Sequence, residues 1–242
     1  LTNIGRRYYD CEMHLYLTGG GEQESFIHLD QRFLKDLSPQ ARILVIPLAT
    51  EEKDFKDVLE RAQECFAGKE VQDIELCQNV QKLEDSTLES YDALFFEGGN
   101  TFKLIKEVRQ CSFFSHLKKF LSLGKTVYAD SAGAIVLGSD VQSAFLGDEP
   151  DEDELKLQDY RGLGVIDQWS IHCHYEEGED DSQLQDLIFT TGSPILALPE
   201  PTGLYTNGTT IEVFGERPLT VFSFTGQQTI EVAEKVNLED LV

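Results

Sequence analysis

The 242-residue chain is short of positive charge: 20 Lys and Arg stand against 44 Asp and Glu, a formal net charge of −24. Nucleic acid and anionic membrane surfaces are bound mainly through Lys and Arg, so this shortage argues against both as partners. Long apolar runs are missing as well; none approaches the roughly 20 residues that cross a bilayer. The opening residues, LTNIGRRYYDCE, hold charge but no apolar h-region, so no secretory signal is read there. Cysteine is sparse. The five (Cys11, Cys65, Cys77, Cys111 and Cys173) are odd in number and form no C-x-x-C pair. That pattern argues against a disulfide framework or a cysteine-built zinc site, and for reduced thiols in a cytoplasmic compartment. Methionine occurs once, as Met13, directly before the first strand-like run. Residues 1–12 therefore read as an extension or an appended segment, and residues 13–242 as a single α/β domain.

The remaining composition, 40% apolar with 10% aromatic residues, suits a soluble globular core. Short β-rich runs recur at 14–18, 42–49, 73–77, 93–97 and 126–130, each ending in glycine or small polar residues. Helical spacing lies between them. Over residues 54–66, Phe55, Val58, Leu59, Ala62 and Phe66 fall at steps of three and four, and residues 101–108 and 113–123 read the same way. Strands alternating with helices of this length imply right-handed βαβ units, hence a doubly wound, largely parallel sheet. Beyond about residue 190, ILALPE, GLYTNGTTIEVFG and LTVFSF read as strands in tight hairpins, with Asn207-Gly208 as a turn signal.

In such sheets reactive residues gather at the carboxyl ends of the strands. The first strand end, TGGGEQES at 18–25, lacks the third glycine of a dinucleotide loop, because Ser25 stands in its place. A tight turn explains its glycines without a cofactor. A later strand end, FFEGGNTFKL, leaves the amides around Gly98 and Gly99 unshielded just before a helix; they suit an oxyanion, or a plain turn capped by Asn100 or Thr101. In YADSAGAIVLG, Ser131 sits at a sharp strand-to-helix turn among small residues. It is either a nucleophile in the manner of G-x-S-x-G, with Ala129 at the first glycine position, or a serine capping the helix. A nucleophilic serine needs a base, and IHCHYEE supplies His172 and His174, which strand alternation puts on one face. A metal would need a third ligand at a recognisable spacing, and none is found. An orienting acid is available in GDEPDEDE, six acids in eight residues, among which composition selects none.

Together these landmarks resemble the serine peptidases of the dipeptidase E and cyanophycinase family. The likeness runs from about Met13 to the C-terminus through LYLTGGG, EGGNTFKLI, DSAGAIVLG, GLGVIDQWSIHCHY and LALPEPTGLY, in family order. It implies a class I glutamine amidotransferase-like, flavodoxin-like fold with serine in place of the cysteine nucleophile. It also implies Ser131 as nucleophile, His174 as base, and the N–H groups of Gly99 and Ala132 as oxyanion hole. Counting back from the GLG and HY landmarks puts Glu152 on the family's acid, with Glu149, Asp151 and Asp153 as alternatives. Asn100 and His172 are expected to contact substrate, although His172 stands where the family does not demand histidine. The expected reaction is hydrolysis of short peptides through an acyl-enzyme, with no metal or organic cofactor, by a monomer or homodimer. Dipeptidase E prefers an N-terminal aspartate, which calls for a cation. Here only Arg217 lies between His174 and Lys235, so a substrate other than a simple aspartyl dipeptide is expected. The alternatives are a ligand-binding module with an idle serine, and an amidotransferase-type subunit, which Ser131 in the place of cysteine disfavours.

Overall fold

The carboxyl ends of two β-sheets meet at one glycine loop, and that meeting organises the molecule. The computed structural model describes residues 13–50, 55–66, 71–109 and 112–241. The extension expected over residues 1–12 lies outside the described residues, as does Asp54 at the start of one expected helix.

In chain order the first half runs β1 (His14–Thr18), α1 (Ile27–Asp36), β2 (Ala41–Ile46), α2 (Phe55–Cys65), β3 (Val71–Leu76), α3 (Asp85–Leu88), β4 (Ala93–Phe96), α4 (Thr101–Arg109), α5 (Phe113–Ser122), β5 (Thr126–Asp130) and α6 (Ala132–Leu137). The second half runs β6 (Ser170–Cys173), α7 (Asp181–Thr191), β7 (Ile195–Leu198), β8 (Thr202–Thr206), β9 (Thr210–Gly215), β10 (Leu219–Ser223), β11 (Gly226–Ile230) and β12 (Lys235–Asn237). The run expected as a strand over 42–49 stops at Ile46, because Pro47 has no N–H to give a neighbouring strand. Among the described residues no helix is long and apolar enough to cross a membrane.

The larger sheet has the order β12-β9-β8-β1-β5-β4-β2-β3. Its centre, β1, β5, β4, β2 and β3, is parallel, while β8, β9 and β12 extend it antiparallel. Asn207-Gly208 forms the β8–β9 turn, the Asn207 carboxamide accepting from the N–H groups of Thr209 and Thr210. A second, four-stranded sheet, β11-β10-β7-β6, was not legible as a separate layer. In it β6 and β7 are parallel, joined by α7, so the run carrying the histidines pairs with ILAL and not with the central strands.

Strand alternation divides the core. On β5, Val127 and Ala129 face the side covered by α4, α5 and α6, while Tyr128 faces α1 and α2. On that second side Tyr16, Phe33, Phe66, Phe95 and Tyr128 form a continuous aromatic contact, with ring centroids 5.2 to 6.3 Å apart. Each such pair adds about 0.5–1.5 kcal/mol beyond area burial. The rigid platform so made holds the ends of β1, β4 and β5, where the site lies.

Candidate active site

Ser131 follows the last residue of β5 and precedes the first of α6, with φ 45° and ψ −111°. A non-glycine residue in such a conformation costs on the order of 1–3 kcal/mol and persists only where its surroundings enforce it. Here they do. The Ser131 N–H donates to Thr18 O at 3.1 Å, and the Ser131 carbonyl accepts the Ile135 N–H at 3.0 Å. The small residues of SAGA let α6 approach β4: a methyl at Gly133 would stand 2.7 Å from Phe96 O. A methyl at Gly98 would come within 3.4 Å of Ser131 Cβ and 2.8 Å of Asp130 Oδ2, so the first GGN glycine lies directly beside the serine. Gly99 has φ +130° and presses on Ala49, where a Cβ would meet Ala49 O at 2.6 Å. Ala132 opens α6, so its N–H has no acceptor inside the helix.

His174 stands one residue past the end of β6, with φ 57°. Its N–H donates to Gly19 O at 3.0 Å, and its Nε2 lies 2.8 Å from Ser131 Oγ. The other ring nitrogen, Nδ1, bonds the Glu200 carboxylate. Glu200 leaves the end of β7, the parallel neighbour of β6, so His174 and Glu200 emerge side by side from paired strand ends. The glycines of TGGG make room for them. A methyl at Gly20 would stand 2.2 Å from His174 Cε1, and one at Gly21 would lie 3.5 Å from the Glu200 side chain. The loop that resembles a nucleotide cradle is the floor under an imidazole and a carboxylate.

This corrects the expected acid. Both nitrogens of His174 have partners, Ser131 and Glu200, and neither is left for Glu152. The acidic loop folds over the start of α4 instead: Asn100 Nδ2 donates to Glu152 O at 3.1 Å, and the Thr101 N–H donates to Asp151 at 2.9 Å. Asp153 accepts from the Leu157 N–H at 2.8 Å and from Tyr160 Oη at 3.0 Å, while Glu149 faces solvent. Asn100 also differs from expectation. Its carboxamide oxygen caps α4 by accepting the Lys103 N–H, so both ends of that side chain are engaged within the fold. His172 is only 1% exposed and faces the interior, with Nδ1 3.3 Å from Ser143 O and Nε2 3.4 Å from Asp180 Oδ2. Alternation does not carry it to the site beside His174, because β6 ends at Cys173 and the chain turns through a positive φ. The signal for Glu200 was in the sequence: ILALPE is a strand-like run ending in an acid. Its pairing with the histidine strand was not.

Cys173 lies buried behind the elbow, its Sγ 3.5 Å from Ser131 O and 3.6 Å from Thr18 O. Burial first, then the charges of Asp130, Asp151 and Glu200, push this thiol well above its ordinary range. A buried thiol packed against carbonyls, with its pKa raised, is poorly suited to act as a nucleophile. At the rim, Arg217 donates to the Glu176 carboxylate at 3.0 Å and to Glu200 O at 3.3 Å.

On a mixed α/β, class I glutamine amidotransferase-like fold, a serine at a strained strand–helix turn is faced by a histidine–carboxylate pair. The chain belongs to peptidase family S51, whose model matches residues 15–214, and it is a serine peptidase. Among its relatives, Peptidase E of Actinobacillus pleuropneumoniae serotype 7 is 23% identical over 195 residues, 79% of this chain and 82% of the relative. Peptidase E of Nostoc sp. PCC 7120 is 25% identical over 212 residues, 83% of each chain. In fold the chain is similar to a peptidase from an acI-B1 actinobacterium, with a TM-score of 0.74 at 17% identity over 94% of this chain and 97% of that one. It is also similar to a putative peptidase E of Listeria monocytogenes EGD-e, with a TM-score of 0.66 at 18% identity over 86% and 100% of the two chains.

Proposed function

We propose that this peptidase hydrolyses short peptides through an acyl-enzyme on Ser131, with His174 as general base and acid and Glu200 as the carboxylate that orients it. The observation that carries this reading is the unbroken line from Ser131 Oγ through His174 to Glu200. With Nδ1–H donating to Glu200, Nε2 is the free lone pair, and it takes the Ser131 proton as Oγ attacks the scissile carbonyl. The N–H groups of Gly99 and Ala132 receive the developing oxyanion, a contribution of about 3–4 kcal/mol for a well-placed donor. His174 then protonates the leaving amine. Water enters by the same route in reverse, and the acyl group leaves as a carboxylic acid.

The surroundings bear on the substrate. Asp130, Asp151 and Glu200 stand around the turn, and the Arg217 guanidinium is engaged by Glu176. An aspartyl side chain entering here meets negative charge and a cation that is already paired, so neutral or basic side chains are favoured over acidic ones. Two measurements test the reading. Glu200→Gln is expected to lower kcat for a dipeptide by about 10⁴-fold, the order seen when a triad carboxylate loses its charge, whereas Glu152→Gln leaves the rate within about twofold. The reverse ranking would return the acid to the 147–154 loop. Across Ala-Leu, Lys-Leu and Asp-Leu, Asp-Leu is expected to be the slowest; if it is the fastest, the substrate assignment fails while the triad stands.

A further inference from the structure

The connectivity of the active site recurs elsewhere on the molecule. Ser112 precedes α5, is exposed, and has an ordinary backbone with φ −70° and ψ 5°. One helical turn on, His116 Nε2 lies 2.9 Å from Ser112 Oγ. Residues four apart share a helix face, so this contact follows from spacing alone. His116 Nδ1 bonds Asp85 Oδ1, the first residue of α3, and Asp85 Oδ2 accepts Lys119 Nζ at 2.9 Å. Lys119 continues to Glu89 Oε1 at 2.6 Å. A carboxylate only accepts, so Nδ1 carries a hydrogen, and in the neutral ring Nε2 presents its lone pair to the hydroxyl. Hydrogen bonds from Lys119, and then from His116, hold Asp85 below the usual carboxylate range, which keeps it an acceptor. The His116 side chain is 17% exposed, whereas Ser112 faces solvent, so the base is sheltered and the hydroxyl is open.

We infer that Ser112 is a second nucleophilic serine, activated by His116 and Asp85, and a covalent modification site for small pre-activated acyl or phosphonyl donors. The electrophile must bring its own activation, because Ser112 sits on relaxed backbone and lacks the strained glycine-lined turn that surrounds Ser131. With a fluorophosphonate the step is a displacement at phosphorus. The Ser112 Oγ–P bond forms as the P–F bond breaks, fluoride leaves with the electron pair, and the hydroxyl proton passes to His116 Nε2 and on to solvent. No oxidant, metal or second substrate enters.

The test uses the full chain carrying Ser131→Ala, exposed to a fluorophosphonate and mapped by peptide mass. Label on Ser112 is expected, with its rate reduced about 10²-fold by His116→Gln, the range general-base catalysis supplies. Asp85→Asn keeps the side-chain shape and is expected to slow labelling about tenfold, serving as the second variant should His116→Gln fold poorly by circular dichroism. An unlabelled Ser112, or a rate unmoved by both variants, overturns the inference. The readout is mass at Ser112 and is separate from peptide cleavage, so its failure does not touch the Ser131 reading.

Discussion

Two Ser–His–acid contacts among the described residues use the same kinds of atom and differ in everything that holds them. In one, Ser112 and His116 are four residues apart on a single helix, and Asp85 lies 31 residues from His116. In the other, the members are 43 and 26 residues apart and come from three strand ends in two sheets. The local relay needs only helical spacing. The long-range one needs Ser131 and His174 at positive φ and glycines at 20, 98 and 133, each set where a methyl would collide. A hydrogen-bonded line from serine through histidine to carboxylate is thus easily formed. On the proposed reading, the strained turn and the neighbouring N–H groups of Gly99 and Ala132 are what would separate a peptide-cleaving site from a reactive surface hydroxyl.

Ser131→Ala tests that distinction at its widest. Dipeptide hydrolysis is expected to fall about 10⁶-fold, as when a triad nucleophile is removed, and circular dichroism is expected to stay native. If cleavage falls by less than about tenfold, the second relay would be hydrolysing peptides and the distinction collapses. Gly20→Ala comes next, because it removes no reacting atom and alters only the floor under the imidazole. The added methyl would stand 2.2 Å from His174 Cε1 at a backbone φ of +89°. A displacement of about 1 Å in a catalytic group costs on the order of 10²-fold in rate. The expected result is that loss in kcat with little change in KM, together with slower fluorophosphonate labelling of Ser131 and unchanged labelling of Ser112. Full activity in Gly20→Ala would mean that the glycine loop does not set the position of the imidazole.

Much of this architecture was legible as sequence, and the parts that were not share one cause. Period-two and period-three-to-four patterns located β1, β4, β5, α2, α4 and α5 to within a few residues, since burial enforces those periods locally. Ser131 stood out because a turn among Ala and Gly is itself a local feature. Glu200 did not, although ILALPE was read as a strand. The partner of a strand is a long-range choice, and the pairing Cys173 with Leu198 that brings His174 beside Glu200 has no local signature. Counting back from the GLG and HY landmarks favoured Glu152, whose loop instead folds over the start of α4. His172 failed for the complementary reason: alternation holds only while the strand lasts, and β6 ends one residue before His174.

That same strand offers a third histidine–acid contact, and with it the smallest of the expected effects. His172 and Asp180 are 1% and 4% exposed, and Asp180 also accepts the Glu176 N–H at 2.8 Å, which fixes the turn leading into α7. No serine completes this pair; each ring nitrogen of His172 faces an oxygen of the interior. Its role is therefore stability, and pH reads it. The hydrogen bond from His172 holds the Asp180 carboxyl below its ordinary range, with the Glu176 N–H adding to the effect against the opposing influence of burial. A carboxyl lowered in the folded state contributes stability that is present above its unfolded pKa, about 3.9, and is lost as pH falls through the lower folded value. Asp180→Asn is expected to destabilise by about 1–3 kcal/mol at neutral pH, the usual loss for a hydrogen bond to a charged group. In urea unfolding between about pH 6 and pH 2.5, the gap between wild type and variant should stay level down to about pH 4 and then close. A gap independent of pH would show that the carboxamide and carboxylate differ in packing alone. Peptide cleavage at neutral pH should change by less than about twofold, since this pair touches neither Ser131 nor His174.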